Sequence, residues 1–489
     1  MLGMKKFLLL AAPLLLVSCA GTPVDSSIPD SQELDDRGII KNDTEITFLC
    51  MADSSYYGKL QDMVHKFELE EPHVKVNLAN PQGSGKAASI ERIVVTGFFK
   101  EDYPDIVQCY PDNVINYLYF DKVMDMRPFL SNEGYGLSEQ ERADYIESFM
   151  LEGAQYAVEG QYSLPFCKST EAMYYNADVL LGLNLSGVDP SINNGQPLDA
   201  TYLDSLTWEE LLNKLCPAII AYNEAAEEKI IKPDTLGKYS VVTYDSDQNF
   251  FITLANQYGY DYTSVDEEGH GHIDFNNAGM RGLMHTMWDA KDKHYLETSG
   301  TYETYVSNLF QNQGALFTIS STAGLTYNYN FDEPFRIGVA SIPHAEGKEE
   351  KNINQGLSVC FLDHEDNDRA LASFLLWKYI TNVQNSSDWA IHTGYMGIRN
   401  SSYETDEYRA AITPPEDLSS FEAAKASNMQ KIADIRGSTF NTAVFNGSSN
   451  ARTAVGELIV ECLNSNGTDE AISNLFAQYE AEANEYVTE

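Results

Sequence analysis

The fold of this chain is decided at residues 160–180, which read GQYSLPFCKSTEAMYYNADVL. Residues 162–166 have the pattern of a strand that stops at Pro165, because proline cannot donate a hydrogen bond to a neighbouring strand. A polar group at residues 168–171 follows, and the apolar residues 173–175 predict a second strand. The pattern is typical of two structures. One is a buried strand pair with an ordinary loop, and the other is a chain that passes from one lobe to another.

Strand and helix patterns alternate on the N-terminal side of this stretch. Apolar residues at helical spacing predict a helix over residues 56–69, between strands at 46–51 and 73–78. A helix over 90–99 then precedes a strand at 105–110. Repeated strand–helix–strand units predict a parallel sheet with helices on both faces, and ligands bind beyond the carboxyl ends of such strands.

The alternation continues on the C-terminal side. Strands are predicted at residues 238–244, 314–319, 335–342 and 355–361, and a strongly apolar helix at 367–380. A chain of 489 residues is too long for one ordinary core, so the sequence predicts two lobes.

Composition narrows the possible partners. The chain has 32 Lys and Arg against 73 Asp and Glu, which gives a net charge of −41. This charge repels nucleic acid and anionic lipid surfaces, so we expect neither as a partner. The 30 tyrosines offer an apolar ring face together with a hydroxyl, a combination that suits sugars.

The N-terminus has the pattern of an export signal. Two lysines precede an apolar run at residues 7–17 that is too short to span a bilayer. Residues 16–19 resemble a bacterial lipobox, which predicts a signal peptide over 1–18 and lipidation of Cys19; the competing interpretation is an ordinary signal with a chance cysteine. Residues 19–43 predict a flexible tether, so we expect an extracytoplasmic protein held at the membrane only by its lipid anchor.

Six further cysteines are spread along the chain. They are far apart, no C-x-x-C occurs, and three of them lie in strand-like apolar runs, so buried thiols are favoured over disulfides. The six are Cys50, Cys109, Cys167, Cys216, Cys360 and Cys462.

Motifs for catalysis and metal binding are incomplete. Residues 83–86 read GSGK, but Asn80 and Ala87 stand where a phosphate-binding loop needs Gly and Ser or Thr. His270 and His272 have no further ligand at metal-binding spacing and indicate a solvated loop. Neither H-E-x-x-H nor G-x-S-x-G occurs. The sequence therefore predicts a binding protein rather than an enzyme, without a catalytic site, cofactor or metal.

Six short segments, in chain order, resemble the family-1 extracellular solute-binding proteins of bacterial ABC importers. This group contains the maltose-binding and glycerol-3-phosphate-binding proteins. The matching segments are PDIVQ at 104–108, KSTEAMYYN at 168–176, GALFTISS at 314–321, IGVASIP at 337–343, QGLS at 355–358 and TGY at 393–395.

The resemblance implies an α/β fold of the type II periplasmic-binding-protein class. Each of its two lobes would be a mixed, mostly parallel sheet flanked by helices. Three crossings would join the lobes, near residues 164–167, 354–357 and 394–398. The N-terminal lobe would comprise residues 44–165 plus 356–395, and the C-terminal lobe residues 166–355 plus 396–489.

The resemblance also places ligand-binding residues at the strand ends that face the cleft. By position they are Asp53, Ser54, Gln108, Tyr110, Asp112, Asn113, Ser169, Thr170, Ser321, Thr322, Gly356, Tyr395 and Arg452. Gln355 replaces a glycine of the glycerol-3-phosphate branch, and Ala323 replaces a tryptophan of the maltose branch. The resemblance therefore does not name the ligand.

The function that the resemblance implies is that of a monomeric receptor. It would bind a mono- or oligosaccharide between its lobes and deliver it to the permease subunits of an ABC transporter. A second possible ligand is glycerol-3-phosphate or a related sugar or polyol phosphate, for which Arg452 and Lys168 would supply positive charge. Two competing hypotheses are an exported, lipid-anchored polysaccharide hydrolase and a surface adhesin.

Overall fold

A computed structural model describes residues 38–51, 54–81, 86–302 and 305–487. The predicted signal peptide, Cys19, most of the predicted tether and Asp53 lie outside the described residues. For Ser54, only the backbone is described. Among the described helices, none combines the length and the apolar character that crossing a bilayer requires.

Fourteen strands occur in the described part of the chain. They are β1 (Thr44–Leu49), β2 (Val74–Ala79), β3 (Ile106–Cys109), β4 (Leu164–Ser169), β5 (Glu171–Asn176), β6 (Val242–Tyr244), β7 (Thr263–Val265), β8 (Gly271–Ile273), β9 (Leu296–Thr298), β10 (Phe317–Ser321), β11 (Ile337–Ala340), β12 (Asn352–Ile353), β13 (Gln355–Phe361) and β14 (Thr439–Phe440).

Two five-stranded mixed sheets form the framework. The first has the strand order β2-β1-β3-β13-β4, with β1, β2 and β3 parallel and β13 antiparallel to both of its neighbours. The second has the order β11-β5-β10-β6-β9, with β6, β9 and β10 parallel and β5 antiparallel to β10 and β11. Two small two-stranded pairs, β7-β8 and β12-β14, complete the described strands.

Helices flank both sheets. Those of eight or more residues are α1 (Ser54–Glu70), α2 (Lys86–Lys100), α3 (Pro111–Leu118), α4 (Cys216–Ala225), α5 (Asp247–Tyr258), α6 (Ala278–Asp292), α7 (Asn367–Ile380), α8 (Val383–Thr393), α9 (Phe421–Ile435), α10 (Ser448–Asn464) and α11 (Asp469–Asn484). Shorter helical segments are Arg127–Leu130, Glu139–Asp144, Glu147–Glu152, Ala177–Leu180, Ile192–Gly195, Ala200–Asp204, Trp208–Glu210, Leu211–Leu215, Ser299–Tyr302, Ser307–Gln311, Thr322–Gly324, Leu325–Asn328, Asn400–Glu404 and Asp406–Ala411.

Local sequence explains the long helices well. In α1, Leu60, Met63, Val64 and Phe67 lie at helical spacing, and all four are buried. Helix α7 has the predicted bounds, because the side chain of Asp366 accepts hydrogen bonds from the first backbone N–H groups and fixes its start.

The predicted end of the strand at Pro165 is wrong. Strand β4 runs through Pro165 to Ser169. It lies at the edge of the first sheet, and the β4–β13 register shifts between Leu357 and Ser358, next to the proline. An edge position at such an irregularity tolerates a residue that lacks a backbone N–H.

Each sheet has its own core. The first core packs on the first sheet and includes Phe48, Val107 and Trp377, and the second packs on the second sheet and includes Trp208, Phe251 and Leu458. A smaller cluster, which includes Tyr174 and Ile337, also packs on the second sheet. All six cysteines predicted as thiols are buried, and within the described ranges none forms a disulfide.

The chain crosses between the two cores at two adjacent places. Thr170 separates the end of β4 from the start of β5, and Asn354 separates β12 from β13. The hydroxyl of Thr170 donates to the carbonyl oxygen of Ile353 over 2.8 Å. The backbone N–H of Thr322 donates to the carbonyl oxygen of Thr170, also over 2.8 Å. The two crossings are therefore tied to each other and to the end of β10.

The chain then returns to the first core before it reaches the second. Met396 donates its backbone N–H to the carbonyl oxygen of Lys168, and Met396, Ile398 and Tyr408 pack in the first core. Helices α10 and α11 pack in the second core. The predicted lobe boundaries stay a prediction. Met429, Ile432 and Val444 also pack in the first core, so this packing favours a third crossing later than the predicted residues 394–398.

Candidate functional site

A cavity of about 590 Å³ lies where strand ends of both sheets meet the first two crossings. Segments from three directions supply its walls: the β3–α3 turn, the start of α5 after β6, and the start of α10. Eight of the predicted ligand-binding residues line it. They are Tyr110, Asp112, Asn113, Ser169, Ser321, Gly356, Tyr395 and Arg452.

The β3–α3 turn presents Tyr110 and Asp112 because of its capping chemistry. The side-chain oxygen of Asn113 accepts a hydrogen bond from the backbone N–H of Tyr110 over 3.0 Å, and Pro111 occupies the first helical turn. The amide of Asn113 also donates to Glu91 over 3.3 Å. Asn113 therefore lines the cavity but already has structural partners.

Asp112 joins the two sides of the cavity. Its carboxylate accepts a hydrogen bond from the hydroxyl of Ser448, at the start of α10. Burial raises the pKa of Asp112 above its ordinary value, although the hydrogen bond from Ser448 and the positive charge of Arg452 act in the opposite direction. Asp112 can therefore accept hydrogen bonds from a ligand that lies between the β3–α3 turn and α10.

Arg452 is the one basic residue among the described residues that line the cavity. Its guanidinium donates to the side-chain oxygen of Asn249. Three carboxylic acids, Glu91, Asp112 and Glu152, share the same walls. The charge lining the cavity is therefore predominantly negative.

Lys168 is not available to a ligand. Its side chain is fully buried and forms an ion pair with Glu152. The same carboxylate accepts hydrogen bonds from Ser358 over 2.9 Å and from the amide of Asn354 over 3.0 Å. A buried charge requires such a partner, and this pair fixes the floor of the cavity.

Aromatic rings and small residues shape the remaining wall. Tyr110, Tyr262 and Tyr395 all reach the cavity, and Tyr395 packs edge-on against Tyr56 with ring centroids 5.9 Å apart. At Gly356, where φ is +87°, an added Cβ would lie 2.0 Å from the carbonyl oxygen of Cys167. Glycine is required there so that the two crossing strands can approach each other.

Three predicted residues lie behind the cavity walls instead. Gln108 is buried; its side-chain oxygen accepts from the N–H of Met51 over 2.7 Å. Thr170 and Thr322 are fully buried. Thr170 bonds the two crossings to each other, and Thr322 bonds the first crossing to the end of β10. These side chains hold the framework of the site.

Sequence reasoning missed several polar residues that line the cavity. They are Glu91, Glu152, Gln155, Gln248, Asn249, Tyr262, Asn354, Gln355, Asn441 and Ser448. Gln355 falls within one of the matching segments and Asn354 within the predicted crossing at 354–357, so both had a usable signal. The rest come from helices and loops with no local motif, and only the packing of distant segments brings them together.

One exposed hairpin carries residues of the kinds that bind metals. Ligand atoms of Asp266, Glu268 and His270 lie within 4.8 Å of one another on the β7–β8 hairpin. The carboxylate of Asp266 already pairs with His270 and His272 over 3.3 and 3.2 Å. The contacts fit a solvated turn held by its own hydrogen bonds.

Two mixed sheets, tied crossings and a polar cavity between them define the class of type II periplasmic binding proteins, as predicted. Residues 62–416 match the family described as bacterial extracellular solute-binding proteins. The chain therefore belongs to this family. The prediction of a binding protein rather than an enzyme is confirmed by that membership.

Solved structures confirm the fold. UgpB of Mycobacterium tuberculosis, in complex with glycerophosphocholine, is 15% identical with a TM-score of 0.65, over 91% of this chain and 98% of UgpB. The sugar-binding protein MalE of Xanthomonas citri is 16% identical with a TM-score of 0.66, over 90% and 98% of the two chains. The cyclic α-maltosyl-1,6-maltose-binding protein of Arthrobacter globiformis is 16% identical with a TM-score of 0.65, over 90% and 99%. No curated protein matches the sequence.

Proposed function

We propose that the protein is the carbohydrate receptor of an ABC importer, which binds a neutral saccharide in the cavity and delivers it to the permease. The observation that carries this proposal is the chemistry of the walls. Hydroxyl, amide and carboxylate groups alternate with three tyrosine rings, and such groups bind the hydroxyls and the faces of sugar rings. Several structural relatives are described as sugar-binding proteins, which supports the same ligand class.

Charge favours a neutral saccharide over a phosphate ester. A phosphate in the cavity would meet one guanidinium, that of Arg452, and the carboxylic acids Glu91 and Asp112, while the third acid, Glu152, is already paired. Lys168, the second cation considered for a phosphate, is buried against Glu152. A sugar hydroxyl both donates and accepts hydrogen bonds, so it can use Arg452 and the acids together.

The ligand we propose is an oligosaccharide. A groove of about 1660 Å³ continues from the cavity along the second sheet, and Ser246, Gln248, Ser321 and Ala323 line both. Its outer part carries the exposed rings of Tyr305, Tyr327 and Phe331 among polar side chains. Exposed rings in a polar groove suit the faces of successive sugar units.

We further propose that the receptor is a monomer and is anchored extracytoplasmically through a lipid on Cys19. The lipobox pattern at residues 16–19 supports the anchor. Delivery to a permease requires closure of the two lobes on the saccharide. A ligand that contacts both lobes only in the closed state shifts the equilibrium towards that state.

Thermal unfolding with a panel of solutes tests the ligand class. The panel contains neutral mono-, di- and oligosaccharides, glycerol-3-phosphate, glycerophosphocholine and sugar phosphates. We expect stabilisation by one neutral saccharide series, growing as RT ln(1 + [L]/Kd), or about 2.7 kcal/mol at 100 times Kd. In Arg452→Gln we expect at least a tenfold loss of affinity for that saccharide, because a charged donor is removed.

Two results contradict the proposal. Stabilisation only by the phosphate compounds would favour a phosphate ester as the ligand. Release of reducing sugars during incubation with glycans would instead favour a polysaccharide hydrolase.

A further inference from the structure

A carboxylate lies buried directly behind the cavity, at the first crossing. Glu171 is the first residue of β5, follows Thr170, and is 1% exposed. It pairs in register with Ser321, which lines the cavity. A buried carboxylate disfavours the folded state unless other groups satisfy it, so its partners indicate what it does.

Both oxygens of Glu171 have partners, and one partner leads to the cavity. One oxygen accepts a hydrogen bond from the hydroxyl of Tyr244, and the other accepts from the amide nitrogen of Asn249 over 2.8 Å. The amide oxygen of Asn249 in turn accepts from the guanidinium of Arg452. A continuous chain of hydrogen bonds therefore connects Glu171 with the basic residue of the cavity wall.

The donor and acceptor inventory fixes the direction of this chain. An ionised carboxylate only accepts hydrogen bonds, and a guanidinium only donates them. The side-chain amide of Asn249 can therefore satisfy both neighbours in one orientation only, with its nitrogen towards Glu171 and its oxygen towards Arg452. A neutral group at position 171 can also donate, which removes this requirement.

We propose that Glu171 is a positioning residue for ligand binding: its ionised carboxylate orients Asn249, and Asn249 then holds Arg452 in place to donate to the saccharide. This inference deepens the proposed function and rests on it for the identity of the ligand. Arg452 contacts the cavity, whereas Glu171 acts only through Asn249.

The groups around Glu171 make the arrangement sensitive to pH near neutrality. Burial raises the pKa of Glu171 to about 7, although the hydrogen bonds from Tyr244 and Asn249 and the charge of Arg452 lower it. Tyr244 on β6 and Arg452 on α10 are the titratable or charged groups that act on the carboxylate. The remaining residues against it are uncharged: Asn249 on α5, Ser321 on β10 and Gln355 at the second crossing.

Side-chain nuclear magnetic resonance of Arg452, without any saccharide, tests the inference. Disappearance of its Nε–H signal in Arg452→Lys assigns the resonance, and 15N relaxation then measures its order at pH 6 and pH 8. In the wild type we expect an order parameter above about 0.8 at pH 8 that falls below about 0.6 at pH 6. In Glu171→Gln we expect the low value at both pH values, because the amide at position 171 can donate.

Two further variants separate this effect from other causes. Asp112 also acts on Arg452 electrostatically and titrates above its ordinary range. Asp112→Asn should therefore keep the pH dependence of the Arg452 order parameter. Asn249→Leu removes the connection without touching Glu171 and should give the low order parameter at both pH values.

An Arg452 side chain that is equally ordered at pH 6 and pH 8 in the wild type overturns the inference. Retention of the wild-type pH dependence in Glu171→Gln overturns it as well. If Asn249→Leu does not fold, the wild-type profile together with Glu171→Gln and Asp112→Asn decides the test. Because no saccharide is present, this outcome is independent of the solute panel, so failure of the inference and failure of the proposed function remain distinguishable.

Discussion

Buried polar residues, rather than exposed ones, define the chemistry of this site. Two buried arrangements, Lys168 with Glu152 and Glu171 with Tyr244, pack against the crossings. Glu152 lines the cavity, whereas Lys168, Glu171 and Tyr244 lie behind its walls. Both arrangements place charge in the protein interior, where it requires partners. Their position behind the cavity explains why the crossings carry polar residues in a segment that otherwise reads as a strand pair.

The burial of Glu171 predicts a pH-dependent stability. Its pKa is raised from 4.5 to about 7, so between these values the folded protein holds a proton that the unfolded chain releases. The contribution of Glu171 to the free energy of unfolding is therefore fully present below pH 4.5 and is lost as the pH rises through about 7. We expect Glu171→Gln to raise the free energy of unfolding at pH 8 by about 3 kcal/mol, the order that this shift implies.

Urea unfolding of both proteins at pH 4 and pH 8 measures this difference. The wild type and Glu171→Gln should have nearly equal free energies of unfolding at pH 4, where the side chain at position 171 is neutral in both. If the two free energies of unfolding differ by the same amount at pH 4 and pH 8, the raised pKa of Glu171 is not the cause of the difference. If Glu171→Gln is more stable at pH 8 but its Arg452 is less ordered, the wild type gives up stability at position 171 in favour of ligand binding.

At the level of secondary-structure elements, the crossing strands and the groove determine what the cavity can hold. Strands β4 and β13 approach closely because Gly356 has no side chain. The groove depends on the segment after β10, where short helical segments present aromatic rings. Each of these elements supports its own prediction.

Gly356→Ala should destabilise the protein by about 2–4 kcal/mol. The left-handed backbone disfavours alanine, and the new Cβ would overlap the carbonyl oxygen of Cys167. Gly282→Ala is the matched control, since this glycine lies in α6 with no atom within 4 Å of an added Cβ. We expect the control to stabilise the protein by about 0.5–1 kcal/mol. Thermal unfolding measures both, and equal effects would contradict the role of Gly356.

Tyr327→Ala tests the groove. We expect it to weaken binding of the longest member of the saccharide series selected by the panel by about tenfold, because a stacking ring is lost. The shortest member, held within the cavity, should bind as before. Tyr119→Ala is the control, because Tyr119 is also exposed to solvent but lines neither the cavity nor the groove. Isothermal titration calorimetry separates these outcomes, and an unchanged affinity for both saccharides would rule out the groove as a binding surface.

At the scale of the whole molecule, the cores that pack on the two sheets are joined by crossings that also form the floor of the site. Such an arrangement couples ligand contacts to the relative position of the sheets. The net charge of the chain is strongly negative, and this charge favours solubility and repels the domain from anionic lipid surfaces. A tether at the N-terminus would keep such a domain near its membrane partner.

The proposed anchor gives a prediction for the complete chain. Cys19→Ala should release the protein from the membrane fraction of the expressing cells, because the acylated thiol is its attachment point. Fractionation followed by immunoblotting measures the distribution, and labelling with a fatty acid should be lost in the same variant. Membrane association that survives the substitution would show that another segment holds the protein.

Local pattern was sufficient for most elements of the fold. Helix α7 and strand β13 have the predicted bounds, because their apolar periodicity and capping residues lie close together in sequence. The resemblance of six short segments then supplied the type II fold. The error at Pro165 arose because a sequence does not show whether a strand lies at the edge of its sheet.

Some residues of the candidate site could likewise be predicted from the sequence, and others could not. Strand-end residues such as Tyr110 and Ser321 follow from position, because ligands bind at the carboxyl ends of strands. Asn249 and Glu152 carry no local signal and are recognisable only once the sheets are packed. Sequence alone thus determined the class of protein and much of the cavity wall. Tertiary structure alone decided that Lys168 is buried and that Glu171 lies behind Arg452, because burial and partners depend on segments distant in the chain.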